Sequence, residues 1–218
     1  MSEAMDIILP ATWETIYMIV ITSFFTVLLG MPLAIILYIT REGGLSPKPK
    51  IYAVLDFIVN IIRSFPFIIL MIVVLPLASV IVGTKMGTKA SIVALIIGAV
   101  PFFARLVEQE FLNIDSGIIE ASRSMGADNK SIIFDVLIPE AMPQLVLILV
   151  NLVITLVGYS AMAGVIGGGG LGAVAKRYGY DRYRNDILFI SVIFIIVIVQ
   201  LVQYLGTKIS IKINKKNI

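Results

Sequence analysis

Apolar residues fill this chain in long runs, and the polar positions between them mark out the expected elements. The first run extends from Tyr17 to Ile39 without a charge. That is long enough for a helix across a hydrocarbon core, which needs about 20 residues. Gly30 and Pro32 lie inside it; they fit either a kink with close helix contact or tolerated lipid-facing positions. The second run, Ile51 to Val82, begins amphipathic, with Asp56, Asn60 and Arg63, and turns purely apolar from Phe65. Pro66 and Pro76 predict a broken or bent path there. Further spans are expected at about Ala90 to Val107, Gln144 to Ile166 and Ile187 to Leu205. The expected fold is thus an all-α integral membrane protein, one domain over residues 1–218 with five transmembrane helices.

The connectors carry the polarity. Residues 1–15 read as an exposed or interfacial lead-in, acidic through Glu3, Asp6 and Glu14. Trp13 and Tyr17 suit the headgroup region. With no basic n-region and no small-residue cleavage site, this start does not read as a cleaved signal peptide. Arg41, Lys48 and Lys50 lie in the 40–50 loop, and 83–89 reads as a short hairpin. Residues 173–186 read as a polar, tyrosine-rich loop, and the tail carries Lys208, Lys212, Lys215 and Lys216.

One polar stretch, Asp115 to Glu140, is too long for a simple turn and too patterned for a slack loop. Asp115 or Ser116 can cap a helix by accepting a bond from a free backbone N–H. Ile118, Ile119, Ser122 and Met125 then recur at helical spacing as one expected face, with the small Ala121 beside them. Gly126 stands where a left-handed residue would end the helix. Asp128 can cap a second helix carrying Ile132, Ile133, Val136 and Leu137, with Pro139 as its stop. On geometry alone the segment fits an interfacial amphipathic hairpin as well as a docking helix.

Composition sharpens the membrane reading. Hydrophobic residues make up 59% and charged residues 14%, against roughly 25% charged in an average soluble domain. Mean hydropathy is +1.01 and the sequence pI is near 9.1. The net charge of +3 reflects basic cytoplasmic loops and not nucleic-acid binding. The chain has no cysteine and no histidine, which excludes disulfides, Cys/His metal sites, thiol nucleophiles and imidazole bases. Five spans put the termini on opposite sides. The 40–50 loop, the 115–140 segment and the lysine tail favour a cytoplasmic C-terminus and an outside N-terminus. Lys176, Arg177, Arg182 and Arg184 in the 173–186 loop count against that orientation.

Glu120-Ala121-Ser122, Gly126 four residues on, and Ile138-Pro139 resemble the EAA signature of binding-protein-dependent ABC importer permeases. The third position is Ser122 where the signature has alanine, a small departure. Three further stretches are similar to the methionine-uptake branch of that family: Arg63 to Phe67, Pro101 to Glu108, and Gly158 to Gly164 before the glycine run. The resemblance implies a type I ABC importer permease fold in a bacterial inner (cell) membrane, with the 115–140 segment as a cytoplasmic coupling helix. Glu120, Ala121, Ser122, Gly126 and Pro139 would carry coupling, with Ile118, Ile119 and Met125 as apolar docking contacts. The implied partners are a second copy of the chain, two cytoplasmic ABC ATPase subunits and an extracellular or periplasmic substrate-binding protein. The implied substrate is D- or L-methionine, another amino acid or small solute being the alternative.

Gly167 to Gly170 is no phosphate loop, because Leu171-Gly172-Ala173 follows where Lys-Ser/Thr is required. With no Walker motif elsewhere, no cofactor is expected in this chain, and ATP and Mg²⁺ belong to the partner ATPase. Tyr159, Ser160 and Met162 lie among small residues in the fourth span. A methionine there is ordinarily packing; the resemblance raises the three to pathway or gate residues. Arg63, Arg105 and Glu108 near span ends fit either structural or functional roles. An intramembrane enzyme would need convergent ionisable groups, and a channel or secondary transporter would not need a docking helix.

Overall fold

The structure is a computed structural model that describes residues 2–214, with side chains described for 3–213. Among the described residues every regular element is helical. Four helices are long and apolar enough to cross a membrane, and a bent helix pair supplies a fifth span. Lys215 and Lys216 lie outside the described residues.

Helix α1 (Ser2–Thr40) takes in the whole expected lead-in as well as the first span. The reason is a buried stripe at helical spacing: Ala4, Ile8, Ala11, Thr15, Met18, Thr22 and Thr26. Its first part packs with Leu171 and Ile187 in a small separate core. At 1.5 Å per residue the helix is roughly 58 Å long, well beyond a bilayer core. Acidic residues and Trp13 masked this stripe in the sequence.

Helices α2 (Pro49–Ser64) and α3 (Phe67–Val82) meet at a bend of 112°. Phe65 is extended at the break (φ −72°, ψ 133°), as the residue before a proline prefers. Pro66, with no N–H to donate, then opens α3. Gly83 ends α3 in the left-handed conformation.

Helix α4 (Thr88–Asn113) is the central element, burying Leu95, Ala99, Phe103, Ala104, Val107 and Phe111. Its closest neighbour is α1, where a Cβ on Gly30 would come within 2.7 Å of the Phe103 ring. Helix α5 (Ser116–Ser124) and the short α6 (Asn129–Ser131) follow. A π-helical turn, Ile132–Leu137, then runs without interruption into α7 (Ile138–Val165). Pro139 is therefore no stop. It closely follows the π-helical turn, whose widened backbone accommodates a proline that would break a regular α-helix.

The expected 173–186 loop is mostly helical: α8 (Gly170–Val174) leads into a second π-helical stretch, Ala175–Tyr180. Helix α9 (Asn185–Asn214) lies on α7 and leaves Phe189, Ile193, Val197 and Leu201 exposed. Such an apolar exterior suits lipid or a second copy.

Candidate functional site

The 115–140 segment is built by local chemistry. Asp115 Oδ1 accepts from the Gly117 N–H at 2.8 Å and starts α5. At the other end, the Gly126 N–H donates to Arg123 O (2.9 Å) and the Ala127 N–H to Ser122 O (3.1 Å). This paired closure is a Schellman motif, and it requires the positive φ of Gly126, +87°. Asp128 Oδ1 accepts from the Ser131 N–H at 2.8 Å. That bond holds the Asp128 carboxyl below its ordinary range.

The expected single face divides in two. Ile119 and Ser122 are buried against the body of the chain, and the Ser122 hydroxyl donates to Ile118 O at 2.8 Å. Ile118 and Met125 point away, with Met125 82% exposed. At about 100° per residue Ser122 lies about 60° from Ile119, whereas Ile118 lies about 100° and Met125 about 120° away, and Met125 already stands at the C-cap of α5. Glu120, Ala121, Gly126 and Pro139 are exposed as well. Phe134, 62% exposed, joins this outer surface. It went unremarked in the sequence, where it breaks the buried run of Ile132, Ile133 and Leu137.

Two contacts fix which connectors share an end of the bundle. Arg123 and Asn129 each donate to Leu45 O at 3.4 Å, which brings the 40–50 loop beside the segment. Ser210 donates to Pro143 O at 3.0 Å, which brings the end of α9 to the same region. At the opposite end, Arg184 pairs with Glu3 at 3.3 Å and Asp186 at 2.8 Å. Lys176 pairs with Asp181 at 2.7 Å, and Arg177 and Arg182 lie over the Tyr178 ring.

The glycine run is a tight junction. Gly170 N–H donates to Glu14 Oε2 (2.8 Å) and Leu171 N–H to Thr15 Oγ1 (2.9 Å). Gly87 N–H donates to Gly167 O (2.8 Å). A Cβ on Gly168 would lie 2.6 Å from Ala163 O, so only glycine fits.

Of the three α7 residues singled out as a pathway, Tyr159 and Met162 share a side while Ser160 does not. Tyr159 stacks on Phe67, centroids 4.0 Å apart and rings 2° from parallel. Met162 is 46% exposed. Ser160 is buried, and its hydroxyl donates to Val157 O at 2.8 Å.

Arg105 and Glu108 join Asp56 and Asn60 in one ionic cluster tying α2 to α4. Arg105 Nη1 bonds Glu108 Oε2 at 2.7 Å, and its Nη2 bonds Asp56 and also Asn60 Oδ1, the latter at 3.2 Å. Asn60 donates to Asp56 Oδ2 at 3.0 Å. Glu108 is 1% exposed, and its Oε1 lacks a hydrogen-bond partner among the described residues. Asp56 and Asn60 also line an open groove of about 790 Å³ along α2. Sequence separation hid this cluster, since Asp56 and Arg105 are 49 positions apart.

Among the described residues no group of histidine, cysteine and carboxylate side chains is placed to hold a metal ion.

Known proteins share both the sequence and the fold. The chain is 47% identical over 201 residues to the probable D-methionine transport system permease protein MetI of Vibrio cholerae, covering 92% of this chain and 89% of that protein. It is 43% identical over 206 residues to the methionine import system permease protein MetP of Bacillus subtilis, covering 94% and 93%. A chain of the solved MetNI methionine ABC transporter in inward-facing conformations superposes with a TM-score of 0.95 at 42% identity, covering 98% of this chain and 99% of that one. Residues 27–210 match the family described as binding-protein-dependent transport system inner membrane component, and the chain belongs to that family.

Proposed function

We propose that this chain is the transmembrane permease subunit of an ATP-driven importer for methionine. The observation that carries the reading is near-full-length likeness, in sequence and backbone together, to a methionine ABC transporter chain. Two copies line one route, two cytoplasmic ATPase subunits supply the work, and an extracellular or periplasmic binding protein delivers substrate. Nucleotide and Mg²⁺ bind the ATPase. Its closing motion shifts the permease between inward- and outward-open populations.

In this scheme the 115–140 segment docks on the ATPase. Its outer surface supplies Ile118, Ala121, Met125 and Phe134, while Ile119 and Ser122 fasten α5 to the body. Glu120, Gly126 and Pro139 complete the coupling set. The cytoplasmic side is the end holding this segment, because Arg41, Lys48, Lys50, Arg123, Lys130, Lys208 and Lys212 gather there. Tyr159 and Met162 face the route.

The test is uptake of radiolabelled methionine into proteoliposomes holding the permease, its ATPase and the binding protein, competed by a panel of amino acids. ATP-dependent uptake that unlabelled methionine suppresses is expected. Uptake that proceeds without any ATPase refutes the importer reading, and failure of methionine to compete refutes the substrate.

A further inference from the structure

The 112° break in the second span opens a small cavity of about 130 Å³. Arg63, Phe65, Phe67, Gly98, Phe102 and Tyr159 line it. Arg63 is exposed in the last turn of α2. A guanidinium within a span is costly unless it faces water, an acidic partner or a ligand. Among the described residues it forms none of the ion pairs. Asp56, the one acidic residue of α2, and the buried Glu108 of α4 are both engaged by Arg105, and no acidic residue lines the cavity. Helix α3 carries no charge at all.

The rest of the wall is aromatic and shaped. The stacked Phe67 and Tyr159 rings both line the cavity, and thioether sulfur contacts aromatic rings favourably, often at their edge. A Cβ on Gly98 would lie 3.1 Å from Leu70 Cδ2 and 3.5 Å from the Phe67 ring, so glycine keeps this wall open. A cavity of about 150 Å³ holds a benzene; this one suits a side chain of a few heavy atoms and not an indole. An arginine fork matches a carboxylate with two parallel bonds. The N-terminus of α3 faces the same break, where the Ile69 and Leu70 N–H groups already bond Pro66 O. The positive end of that helix adds a favourable field for an anion.

We propose that this break is an amino-acid subsite on the translocation route, in which Arg63 holds the α-carboxylate and the aromatic cavity takes the thioether side chain. The proposal rests on the importer reading. Arg63 and the cavity together select small apolar amino acids, and the bend places their release point at the joint between two half-helices.

The test uses the assembled permease–ATPase complex in nanodiscs and photo-methionine, an analogue with a diazirine in place of the thioether sulfur, irradiated with and without excess methionine, which should suppress the label. After irradiation, labelled peptides are mapped by mass spectrometry. Label is expected on residues 63–67, 98–102 or Tyr159. Arg63→Gln should lower it at least tenfold and Arg63→Lys by less, in variants that co-elute with the ATPase. Gly98→Ala, which narrows the cavity by one methyl without touching the charge, should lower it severalfold, and it carries the test alone if Arg63→Gln fails to assemble. Label found only elsewhere, or unchanged in these variants, overturns the subsite. If the wild-type complex with its binding protein imports methionine while the label misses this cavity, only the subsite falls. If that complex shows no ATP-driven methionine uptake, the importer reading falls first.

Discussion

Replacing Arg105 with methionine isolates the energetic role of the ionic cluster. Methionine keeps most of the aliphatic stem, so the main loss is charge. The Arg105 side chain is 11% exposed, that of Glu108 1% and that of Asp56 32%. Without the guanidinium, Glu108 retains no cation, and its Oε1 already lacks a hydrogen-bond partner. Removing one member of a buried pair costs about 3–5 kcal/mol. Asp56 can rehydrate through the open groove and keeps its Asn60 bond, so its share should be no more than about 1 kcal/mol. In a chain of this size 1 kcal/mol moves the melting temperature by about 2–4 °C, which puts the expected drop on the order of 10 °C. Fluorescence-monitored thermal unfolding in detergent reads it. Arg105→Met combined with Glu108→Gln, which leaves no buried charge, should recover more than half of the drop. Arg105→Met combined with Asp56→Asn should recover little. A single variant within about 2 °C of wild type, less than 1 kcal/mol by the same scale, would refute the argument. So would greater recovery from the Asp56 double variant than from the Glu108 one.

Other expectations follow from single positions. A Cβ on Gly126 meets nothing within 4 Å, so the penalty of Gly126→Val comes mainly from φ +87°, a strain of about 1–2 kcal/mol or more for a β-branched residue. Uptake should fall severalfold at equal membrane levels, while Gly126→Asn, which tolerates that conformation, should retain more. Gly168→Ala drives a Cβ toward the backbone of Ala163 at 2.6 Å and should destabilise by about 1–3 kcal/mol. Gly158→Ala, with nothing within 4 Å, should be neutral or gain up to about 1 kcal/mol; comparing the two melting temperatures checks both. The Asp128 cap has its pKa lowered in the folded chain. Its contribution is complete above the ordinary value of 3.8 and is lost as pH falls through the lower folded value. Hydrogen exchange at Ser131, corrected for intrinsic rate, should accelerate in that acid range, and Asp128→Asn should abolish the transition.

The sequence disclosed what local rules govern. Apolar run length located the spans, Pro66 the break, and Asp115, Gly126 and Asp128 the punctuation of the polar segment. What it hid depends on packing against distant residues. The lead-in became helix because Ala4, Ile8 and Ala11 found Leu171 and Ile187, a match no local window contains. Ile118 and Ile119 look alike in sequence, yet only one meets the body of the chain. Ser160 looked like a polar lining residue, but its hydroxyl is spent on its own helix. Pro139 looked like a terminator, but the preceding π turn lets the chain continue as helix through it. Residues 173–186 read as loop because they are polar, although polarity sets exposure and not backbone form.

The glycine junction bears on how force is distributed. Gly87 at the start of α4 and Gly167 just beyond α7 are hydrogen-bonded to each other, and the adjoining Gly170 and Leu171 are fastened to α1. The polar segment joins the far ends of the same two helices, α4 and α7. In the proposed importer the pair would act as a lever with its fulcrum at the glycines. If the polar segment docks on an ATPase as proposed, a sideways push on α5 would produce displacement that grows with distance from the glycines, greatest at the tips beside that segment and small beside Tyr159. In the proposed importer, such gearing would turn a long stroke at the docked ATPase into a short, stiff movement at the aromatic stack.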